Sequence, residues 1–309
     1  MRKLITLVLL AVGITAVIAL PAAAKPRGTN GKIVLNSDNL VTGQEQVYTV
    51  DPDGTDLKLL ANDAEAGQWS PNGSNILVNG GILNFDTGDF TDLSLGTLYP
   101  DFFLGCGVWS PDATRLACEG DSEADPSLNG VYTVRSADGG DLQQVILNPF
   151  DFGSPGDYSP NGKRLVVAHG TLAVVKLDGS GLRQLMPPGV SFNPGDGSWS
   201  PQGNELLFSA NIPQTDRKTI WVVHADGSGL RQIPIDSCGG PFSDPASIGC
   251  FAPGWSPDGT KIVFVRFDAS AGESDIYTVN ADGTGLFQLT NTPEIDEGRA
   301  DWGTHPVTP

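Results

Sequence analysis

The sequence predicts an all-β protein, a six-bladed β-propeller built from four-stranded antiparallel blades. Glycine and proline account for 39 and 23 of the 309 residues, which is typical of a protein rich in β-turns. A short phrase recurs with a mean spacing of about 47 residues, the length of one propeller blade. After residue 30 the sequence contains no helical periodicity with capping signals.

The recurring phrase is a tight turn that directly follows an aromatic residue. It reads WSPNG, WSPDA, YSPNG, WSPQG and WSPDG, and these copies begin at Trp69, Trp109, Tyr158, Trp199 and Trp255. Proline presets φ at the second position of such a turn, Asp or Asn tolerates the third, and Gly closes it. Each copy therefore predicts a hairpin between the aromatic strand and the next strand of its blade.

Each repeat continues with further strand patterns and a second tight turn. In the last complete repeat, residues 261–265 and 276–279 are β-rich runs, Asp282-Gly283 is a turn, and residues 286–289 form a final strand pattern. Asp-Gly pairs recur at Asp53, Asp138, Asp178 and Asp226. This order predicts four antiparallel strands per repeat, with the aromatic strand first.

The first and last repeats complete each other. Residues 31–34 begin a repeat that has no aromatic phrase, whereas Asp301 and Trp302 begin a phrase that no further strands follow. We therefore predict that the C-terminal strand joins the first blade and closes the ring, because closure removes the free sheet edges. The predicted propeller covers residues 25–303, and residues 304–309 form a C-terminal tail.

Residues 1–24 predict an export signal. Arg2 and Lys3 precede a charge-free apolar run over residues 4–20, and residues 22–24 supply the small residues of a cleavage site. The alternative is an uncleaved N-terminal anchor, since 17 residues lie at the lower limit of a membrane span. We expect an extracytoplasmic protein, periplasmic or secreted, with no membrane span once the signal is removed.

The four cysteines form two pairs, each separated by 12 positions: Cys106 with Cys118, and Cys238 with Cys250. Four cysteines allow three connectivities. In a hairpin turning near Pro111, the first pair lies almost directly opposite, where Cβ atoms are about 4.5–5.5 Å apart. The second pair would close the longest loop between repeats. We predict two local disulfides; a four-cysteine metal site is the alternative, which the export signal and the lack of C-x-x-C spacing disfavour.

Charge and topology point to one face of the ring for binding. With 18 Lys and Arg against 36 Asp and Glu, the formal net charge is −18, which disfavours nucleic acid as a partner. The aromatic-phrase turns and Asp-Gly turns emerge on one face, which we call the short-turn face. The other connections emerge on the opposite, variable face, where loop lengths differ and binding residues usually collect. Its low points are expected over blades 2 and 4.

Acidic side chains dominate the predicted variable face. We expect this face to bind a cationic segment of another extracytoplasmic protein or peptide, or a divalent ion; the alternative is a solvated acidic surface. The candidate binding residues are Asp121, Glu123, Asp125, Asp157, His169, Asp196, Arg266, Glu294, Asp296, Glu297, Arg299 and Asp301.

Calcium is the one cofactor that the sequence raises, and no metal ligands are assigned. Asp121, Glu123 and Asp125 alternate as the ligands of a calcium loop do. However, Pro126 and Tyr132 stand where that loop needs its glycine and its closing glutamate. Hairpin chemistry accounts for the repeated Asp-Gly turns without a metal.

The last complete repeat resembles a known family. Its segments WSPDG, KIVFV, DIYTVNADGTGL and FQLT are similar to the WD-like Pro-Asp repeat of TolB-type six-bladed propellers, and the resemblance extends over nearly all of residues 31–303. It implies the propeller fold and a role as a binding platform. Members also carry an N-terminal α/β domain, for which we expect no counterpart between the predicted cleavage site and the first strand.

The sequence favours a non-enzymatic binding protein that acts as a monomer. It lacks the G-x-S-x-G elbow of serine hydrolases, and its three histidines are far apart along the chain. One alternative is a calcium-dependent hydrolase or lactonase with a metal held by carboxylates at the mouth of the central channel. Another is a structural envelope component without a discrete ligand.

Overall fold

The structure is a computed structural model that describes residues 28–306, apart from 148–153, 169–170, 187–190, 193–196, 212–216, 237, 242 and 245. Residues 168, 191 and 192 are described by their backbone alone. The predicted export signal and two candidate binding residues, His169 and Asp196, lie outside the described residues.

Six antiparallel sheets, each of the predicted four-stranded kind, form the blades of the propeller. The strands of blades 1 to 3 are β1 (Ile33–Asn39), β2 (Glu45–Val50), β3 (Lys58–Asn62), β4 (Ala66–Trp69), β5 (Asn75–Val78), β6 (Gly81–Asn84), β7 (Phe90–Asp92), β8 (Phe103–Trp109), β9 (Arg115–Asp121), β10 (Gly130–Arg135) and β11 (Gln143–Leu147). A short helix, α1 (Leu95–Leu98), precedes β8, and a 3-10 turn (Pro126–Leu128) precedes β10.

The second half of the ring repeats this order. The strands of blades 4 to 6 are β12 (Pro155–Tyr158), β13 (Arg164–Ala168), β14 (Leu172–Lys176), β15 (Arg183–Gln184), β16 (Ser191–Phe192), β17 (Ser198–Trp199), β18 (Glu205–Asn211), β19 (Thr219–His224), β20 (Arg231–Gln232), β21 (Ile248–Trp255), β22 (Lys261–Asp268), β23 (Glu273–Asn280) and β24 (Phe287–Gln288). In blade 5 the innermost strand is split into β16 and β17, which both pair with β18.

The C-terminal strand closes the ring, as the sequence predicts. β25 (Ile295–Trp302) pairs antiparallel with β1, and Ile33 lies opposite Trp302. The indole N–H of Trp302 donates to the carbonyl of Gly31 at 2.9 Å. Beyond the strand, the His305 ring stacks on Trp69 of blade 2 with 5.4 Å between ring centroids. Residues from both ends of the described chain therefore hold the first blades together.

The core lies between adjacent blades rather than within one blade. Leu207 and Ile220 of blade 5, for example, share a buried cluster with Trp255 and Phe264 of blade 6. The alternation of apolar side chains along each strand directs both faces of a blade towards its neighbours. Each fully buried side chain of this size contributes roughly 1.5–3 kcal/mol, so the blade interfaces supply most of the stability.

Glycines allow the innermost strands to approach each other at the channel. Gly67, Gly107, Gly156 and Gly197 each stand two positions before the aromatic residue of their repeat. A Cβ atom on Gly156 would lie 2.6 Å from the carbonyl oxygen of Gly197, and one on Gly67 would lie 3.0 Å from that of Gly107. Next to these strands, the cavity at the centre of the ring is only about 20 Å³.

Both predicted disulfides are present. Cys106 lies directly opposite Cys118 in the pairing of β8 with β9, and the two are bonded. Cys238 and Cys250 are bonded across the long connection that leads into blade 6, with a Cα–Cα distance of 5.7 Å. In the chain-entropy account, closing each short loop stabilises the fold by about 3 kcal/mol.

Candidate functional site

A cavity of about 560 Å³ opens on the variable face beside blades 2 and 3. Its wall includes Asn79 and Gly80, the minimal connection between β5 and β6, so it coincides with the low point expected over blade 2. The beginning of β8 forms another wall, and Arg299 of β25 closes the side towards the channel. We call this space the blade 2–3 cavity.

Local hydrogen bonds position the carboxylate of Glu65 at this cavity. Asn79 adopts a left-handed conformation with φ of 46°, which asparagine tolerates better than most residues. Its side-chain oxygen accepts from the backbone N–H of Glu65 at 2.7 Å, and its amide group donates to the carbonyl of Asp63 at 2.9 Å. The loop before β4 is thereby held against the β5–β6 connection, while the Glu65 side chain remains exposed.

A second carboxylate enters the cavity from β9. Glu119 is half-buried, and its Oε2 accepts a hydrogen bond from the Ser154 hydroxyl at 2.6 Å. Together with Glu65 and Arg299, it makes up the charged lining of the cavity, which carries a net charge of −1. This local charge has the sign of the whole chain, so the cavity favours cations over anions.

Glycines and one aromatic side chain shape the rest of the cavity. Gly105 and Gly107 line it, and a Cβ atom on Gly107 would meet no other atom within 4 Å. Phe103 lies at the rim with 70% of its surface exposed. A deep opening with an aromatic rim and two carboxylates is suited to a side chain that has an apolar stem and a cationic end.

The predicted acidic loop of blade 3 lies next to this cavity. Asp121 is half-buried and lies opposite Phe103 in the pairing of β9 with β8. Glu123 is exposed. Asp125 caps the following 3-10 turn, since its carboxylate accepts from the backbone N–H of Ser127 at 3.1 Å. Its role in the structure is thus local, as the cap of this turn.

The candidates on β22 of blade 6 and on or next to β25, the closing strand of blade 1, form a separate group. Arg266 lies over the ring of Tyr277, with 5.1 Å from its guanidinium carbon to the ring centroid. The carboxylate of Asp296 accepts from the backbone N–H of Ser274 at 3.1 Å, and Glu294 is exposed. These acids belong to the closing strand of blade 1 and the segment before it, whereas the acidic loop belongs to blade 3. The structure therefore does not gather the predicted acidic residues into one bowl.

Glu297 is the most unusual acid of this group. It is only 2% exposed, its Oε1 accepts a hydrogen bond from the Thr292 hydroxyl, and its Oε2 is buried without a hydrogen-bond partner among the described residues. Burial is the main cause that raises the pKa of Glu297 to about 7, and the negative charge of Asp275 adds to it.

Asp157 and Asp301 are buried and bond to the backbone of neighbouring blades. Oδ2 of Asp301 accepts from the N–H of Trp69 at 2.9 Å, and Oδ2 of Asp157 accepts from the N–H of Trp199 at 3.0 Å. Each aspartate therefore ties its own innermost strand to that of another blade. These contacts give both carboxylates a structural role.

The cavity opens on the predicted variable face, but most of its lining residues are not among the predicted candidates. Arg299 is the one predicted candidate among its described lining residues, whereas Glu65, Glu119 and Phe103 were not predicted. The short Asn79-Gly80 connection was a signal for the opening. Gly107, two positions before Trp109, was a second signal, because a Cβ atom there meets nothing within 4 Å.

Within the described residues, no group of three His, Cys, Asp or Glu side chains is placed to hold a metal ion. The described residues also contain no helix long and apolar enough to cross a membrane.

Comparison with known proteins identifies the fold. No protein-family model matches the chain. An uncharacterised protein of Agrobacterium fabrum is 28% identical over 213 residues, which are 66% of this chain and 66% of that protein. The chain therefore spans slightly less than two thirds of that relative.

Solved structures share the propeller at low sequence identity. TolB from Acinetobacter baumannii has a TM-score of 0.68 and 14% identity, with 88% of this chain and 66% of that chain covered. A TolB-type protein from Agrobacterium tumefaciens has a TM-score of 0.59 and 20% identity, with 91% and 100% covered. An oligogalacturonate lyase in complex with manganese has a TM-score of 0.53 and 14% identity, with 82% and 78% covered. The fold is thus a TolB-like six-bladed propeller, a scaffold that also occurs in an enzyme.

Proposed function

We propose that this chain is an extracytoplasmic binding protein that captures a cationic segment of another protein in the blade 2–3 cavity. The observation that carries the proposal is the pairing of two carboxylates, Glu65 and Glu119, with the exposed ring of Phe103 around one opening of about 560 Å³. A lysine or arginine side chain offers the complementary shape, an apolar stem with a cationic end.

Charge and apolar surface on the variable face support a protein or peptide as the ligand. The formal net charge of −18 attracts cationic partners over distances of about 10 Å at moderate salt. Leu128 in the β9–β10 connection is, like Phe103 at the rim, an exposed apolar residue on this face. Such residues provide the desolvated contacts on which most protein interfaces depend.

The two disulfides support an extracytoplasmic location, because disulfides persist in oxidising compartments and are rare in the cytosol. The resemblance to TolB-type propellers supports the binding role. A calcium-dependent hydrolase remains the alternative, but no described group of side chains favours it.

The experiment measures peptide binding to the mature protein by isothermal titration. A peptide array of Lys- and Arg-containing sequences supplies the tightest binder as the probe. In the variant E65Q/E119Q the side chains keep their shape and lose their charge. We expect the Kd of this probe to rise about tenfold or more, which corresponds to a loss of about 1.4 kcal/mol or more from two charge-assisted contacts.

The matched control is E123Q/E294Q, which removes two exposed carboxylates from the same face but outside the cavity. We expect this control to change the Kd less than about twofold, the size of a surface charge effect. If the control weakens binding as much as E65Q/E119Q does, attraction by the whole face is responsible and the cavity is not the site. Failure of every cationic peptide to bind would contradict the proposed function itself.

A second variant tests the space rather than the charge. Gly107→Val places a side chain where a Cβ atom meets nothing within 4 Å, so we expect an unchanged melting temperature. The added methyl groups project towards the cavity that Gly107 lines, and we expect the same peptide to bind more weakly. Normal peptide affinity in a folded G107V variant would place the bound segment elsewhere.

A further inference from the structure

The short-turn face carries a concentrated positive charge between blades 4 and 5, although the chain as a whole is strongly acidic. Two neighbouring cavities there, of about 430 and 180 Å³, share Arg164 and Lys176 in their linings. Lys163 lines the first cavity and Arg183 the second. Every lining residue lies in the described part of the chain, and none is acidic. We call the combined space the blade 4–5 groove.

The strand pairing places three of these cations on one face of the blade 4 sheet, on three neighbouring strands. Arg164 of β13 lies directly opposite Lys176 of β14, and Arg183 of β15 lies opposite Val174. Because side chains two positions apart share one face of a sheet, Val174 and Lys176 point the same way, and so do Arg164 and Arg183. Neighbouring strands are about 4.8 Å apart. Arg164 and Lys176 are therefore about 5 Å apart at their Cβ atoms, and Arg183 lies diagonally from Lys176 at about 7–8 Å.

The equivalent pair of cations in blade 3 is neutralised by acidic residues. There Arg115 lies opposite Arg135, again two cations on paired strands. Each of them has its own acid: Arg115 pairs with Asp141 at 2.7 Å, and Arg135 pairs with Asp138 at 2.8 Å. Like charges directly opposite each other destabilise a sheet, and the two aspartates remove that cost in blade 3.

Other blades satisfy this position as well. In blade 6 the ammonium of Lys261 donates to the side-chain oxygen of Asn280, its cross-strand partner, at 3.1 Å. In blade 5 Glu205 lies opposite His224, and Arg231 pairs with Glu205 at 3.1 Å. The repeat thus places a compensating group at this point of the sheet.

Blade 4 departs from this pattern. Among the described residues, no carboxylate lies at ion-pair distance from Lys163, Arg164 or Lys176. Arg183 donates to the backbone carbonyl of Ala225 in blade 5, which fixes it at the groove without neutralising it.

Two acidic residues nearby are engaged in their own turns. Hydrogen bonds from the side chain and backbone of Ser180 are the main causes that lower the pKa of Asp178, and the charge of Lys176 adds to them. The backbone N–H of Ser180 donates to this carboxylate at 2.9 Å. Hydrogen bonds from Ser228 are likewise the main causes that lower the pKa of Asp226, and Arg183 adds a smaller contribution. The backbone N–H of Ser228 donates to the Asp226 carboxylate at 2.9 Å. Neither carboxylate takes the place that the aspartates fill in blade 3.

We propose that the blade 4–5 groove binds a small oligoanion, a molecule with two or more phosphate or carboxylate groups spaced by about 5 Å. Guanidinium and ammonium groups recognise both kinds of oxyanion. Pro160, which is half-buried, lines the same groove and provides apolar contact. This site lies on the opposite face from the blade 2–3 cavity and takes a ligand of opposite charge, so it would operate independently of the proposed peptide binding.

The test titrates sodium tripolyphosphate and, separately, citrate into the full mature protein at low salt. The variant R164Q/K176Q removes the central pair. We expect it to bind the active probe at least tenfold more weakly than the wild type, and we expect binding by the wild type to weaken as salt is added. Without ligand, the same variant should melt slightly higher than the wild type because the like-charge pair is gone.

The matched control is K58Q/R135Q, which removes two exposed positive charges elsewhere and changes the net charge equally. We expect its affinity for the probe to stay within about twofold of the wild type, as for a general field effect. Selective loss in R164Q/K176Q with tripolyphosphate supports a phosphate ligand, and the same loss with citrate alone supports a polycarboxylate. No binding of either probe, or an equal loss in both variants, would overturn the proposal.

Discussion

Aspartates on the short-turn face and glutamates on the variable face have different surroundings. In the turn Ser256-Pro257-Asp258-Gly259, the carboxylate of Asp258 accepts hydrogen bonds from the Ser256 hydroxyl at 2.7 Å and from the N–H of Thr260 at 2.9 Å. At the blade 2–3 cavity, Glu65 has an exposed side chain. Where the repeat is regular, the carboxylates form hydrogen bonds within the turns. Where the sequence departs from the repeat, a carboxylate such as that of Glu65 stays exposed and can contact a ligand.

The blade 4–5 groove shows the same relation on the short-turn face, where a departure from the repeat leaves charged side chains without acidic partners among the described residues. Arg164 and Lys176 occupy positions that the other blades neutralise or hydrogen-bond, so the exception is visible only against the rest of the repeat. Comparing equivalent positions within one chain therefore separates structural polar groups from candidate binding groups.

The largest effect on stability is expected from a substitution in the strand that closes the ring. Trp302 is 1% exposed and belongs to the strand that pairs with blade 1. Trp302→Ala should lower the free energy of unfolding by about 3–5 kcal/mol, the cost of truncating a buried aromatic residue. Phe103→Ala at the exposed rim should change it by less than about 0.5 kcal/mol. Urea titration measures both, and similar losses would refute the contrast between closure and rim.

Glu297 should give the next largest effect, through pH. Its folded-state pKa of about 7 lies above the ordinary value of 4.5, so the folded state binds the proton more tightly than the unfolded state does. This contribution to stability is complete below pH about 4.5 and is lost as pH rises through 7. The shift corresponds to about 3 kcal/mol.

The matched variant is Glu297→Gln, which mimics the protonated acid. Between pH 5 and 8, the wild type should lose more stability than E297Q, measured by urea unfolding at each pH in the same buffers. Asp275, which also has a raised pKa through burial, is unchanged in both proteins. Parallel pH profiles would show that Glu297 is ionised in the folded state throughout this range.

The turn chemistry should give a smaller effect. Asp258→Ala removes the acceptor for Ser256 and Thr260, and we expect a loss of about 1 kcal/mol in the free energy of unfolding. Glu123→Ala on the variable face should leave the stability unchanged within about 0.5 kcal/mol. If E123A lowers the free energy of unfolding as much as D258A does, the acids of the variable face contribute to stability as the turn aspartates do, and the contrast between the two faces is wrong.

The smallest effect on stability is expected from a substitution that restores glycine in the WSPDA copy of the aromatic phrase. Ala113 occupies the closing position that glycine fills in four other copies, and it has φ of 59°. Relief of the left-handed strain favours glycine by about 1–2 kcal/mol, and the greater freedom of the unfolded chain offsets part of this. We expect Ala113→Gly to raise the free energy of unfolding by about 0.5 kcal/mol, measured by urea titration. A lower stability would mean that the packing of the Ala113 methyl group outweighs the strain.

Local signals were enough to predict the architecture. The aromatic phrases set the number of blades, and the incomplete repeats at residues 31–34 and at Asp301 indicated how the ring closes. The Cys106–Cys118 disulfide followed from its distance to the turn at Pro111, because antiparallel pairing makes the register a matter of counting. All of these properties depend on residues that are close in sequence or that recur with the repeat.

The binding features depended on the tertiary structure. Glu65, Glu119 and Arg299 come from three different blades, and only the ring brings them to one cavity. Asp157 and Asp301 are candidate binding acids of the variable face in the sequence, yet the packing of innermost strands buries them against backbone N–H groups of other blades. The repeat dictates the scaffold because each blade must bury both faces, whereas the site depends on which irregular side chains the closed ring places side by side.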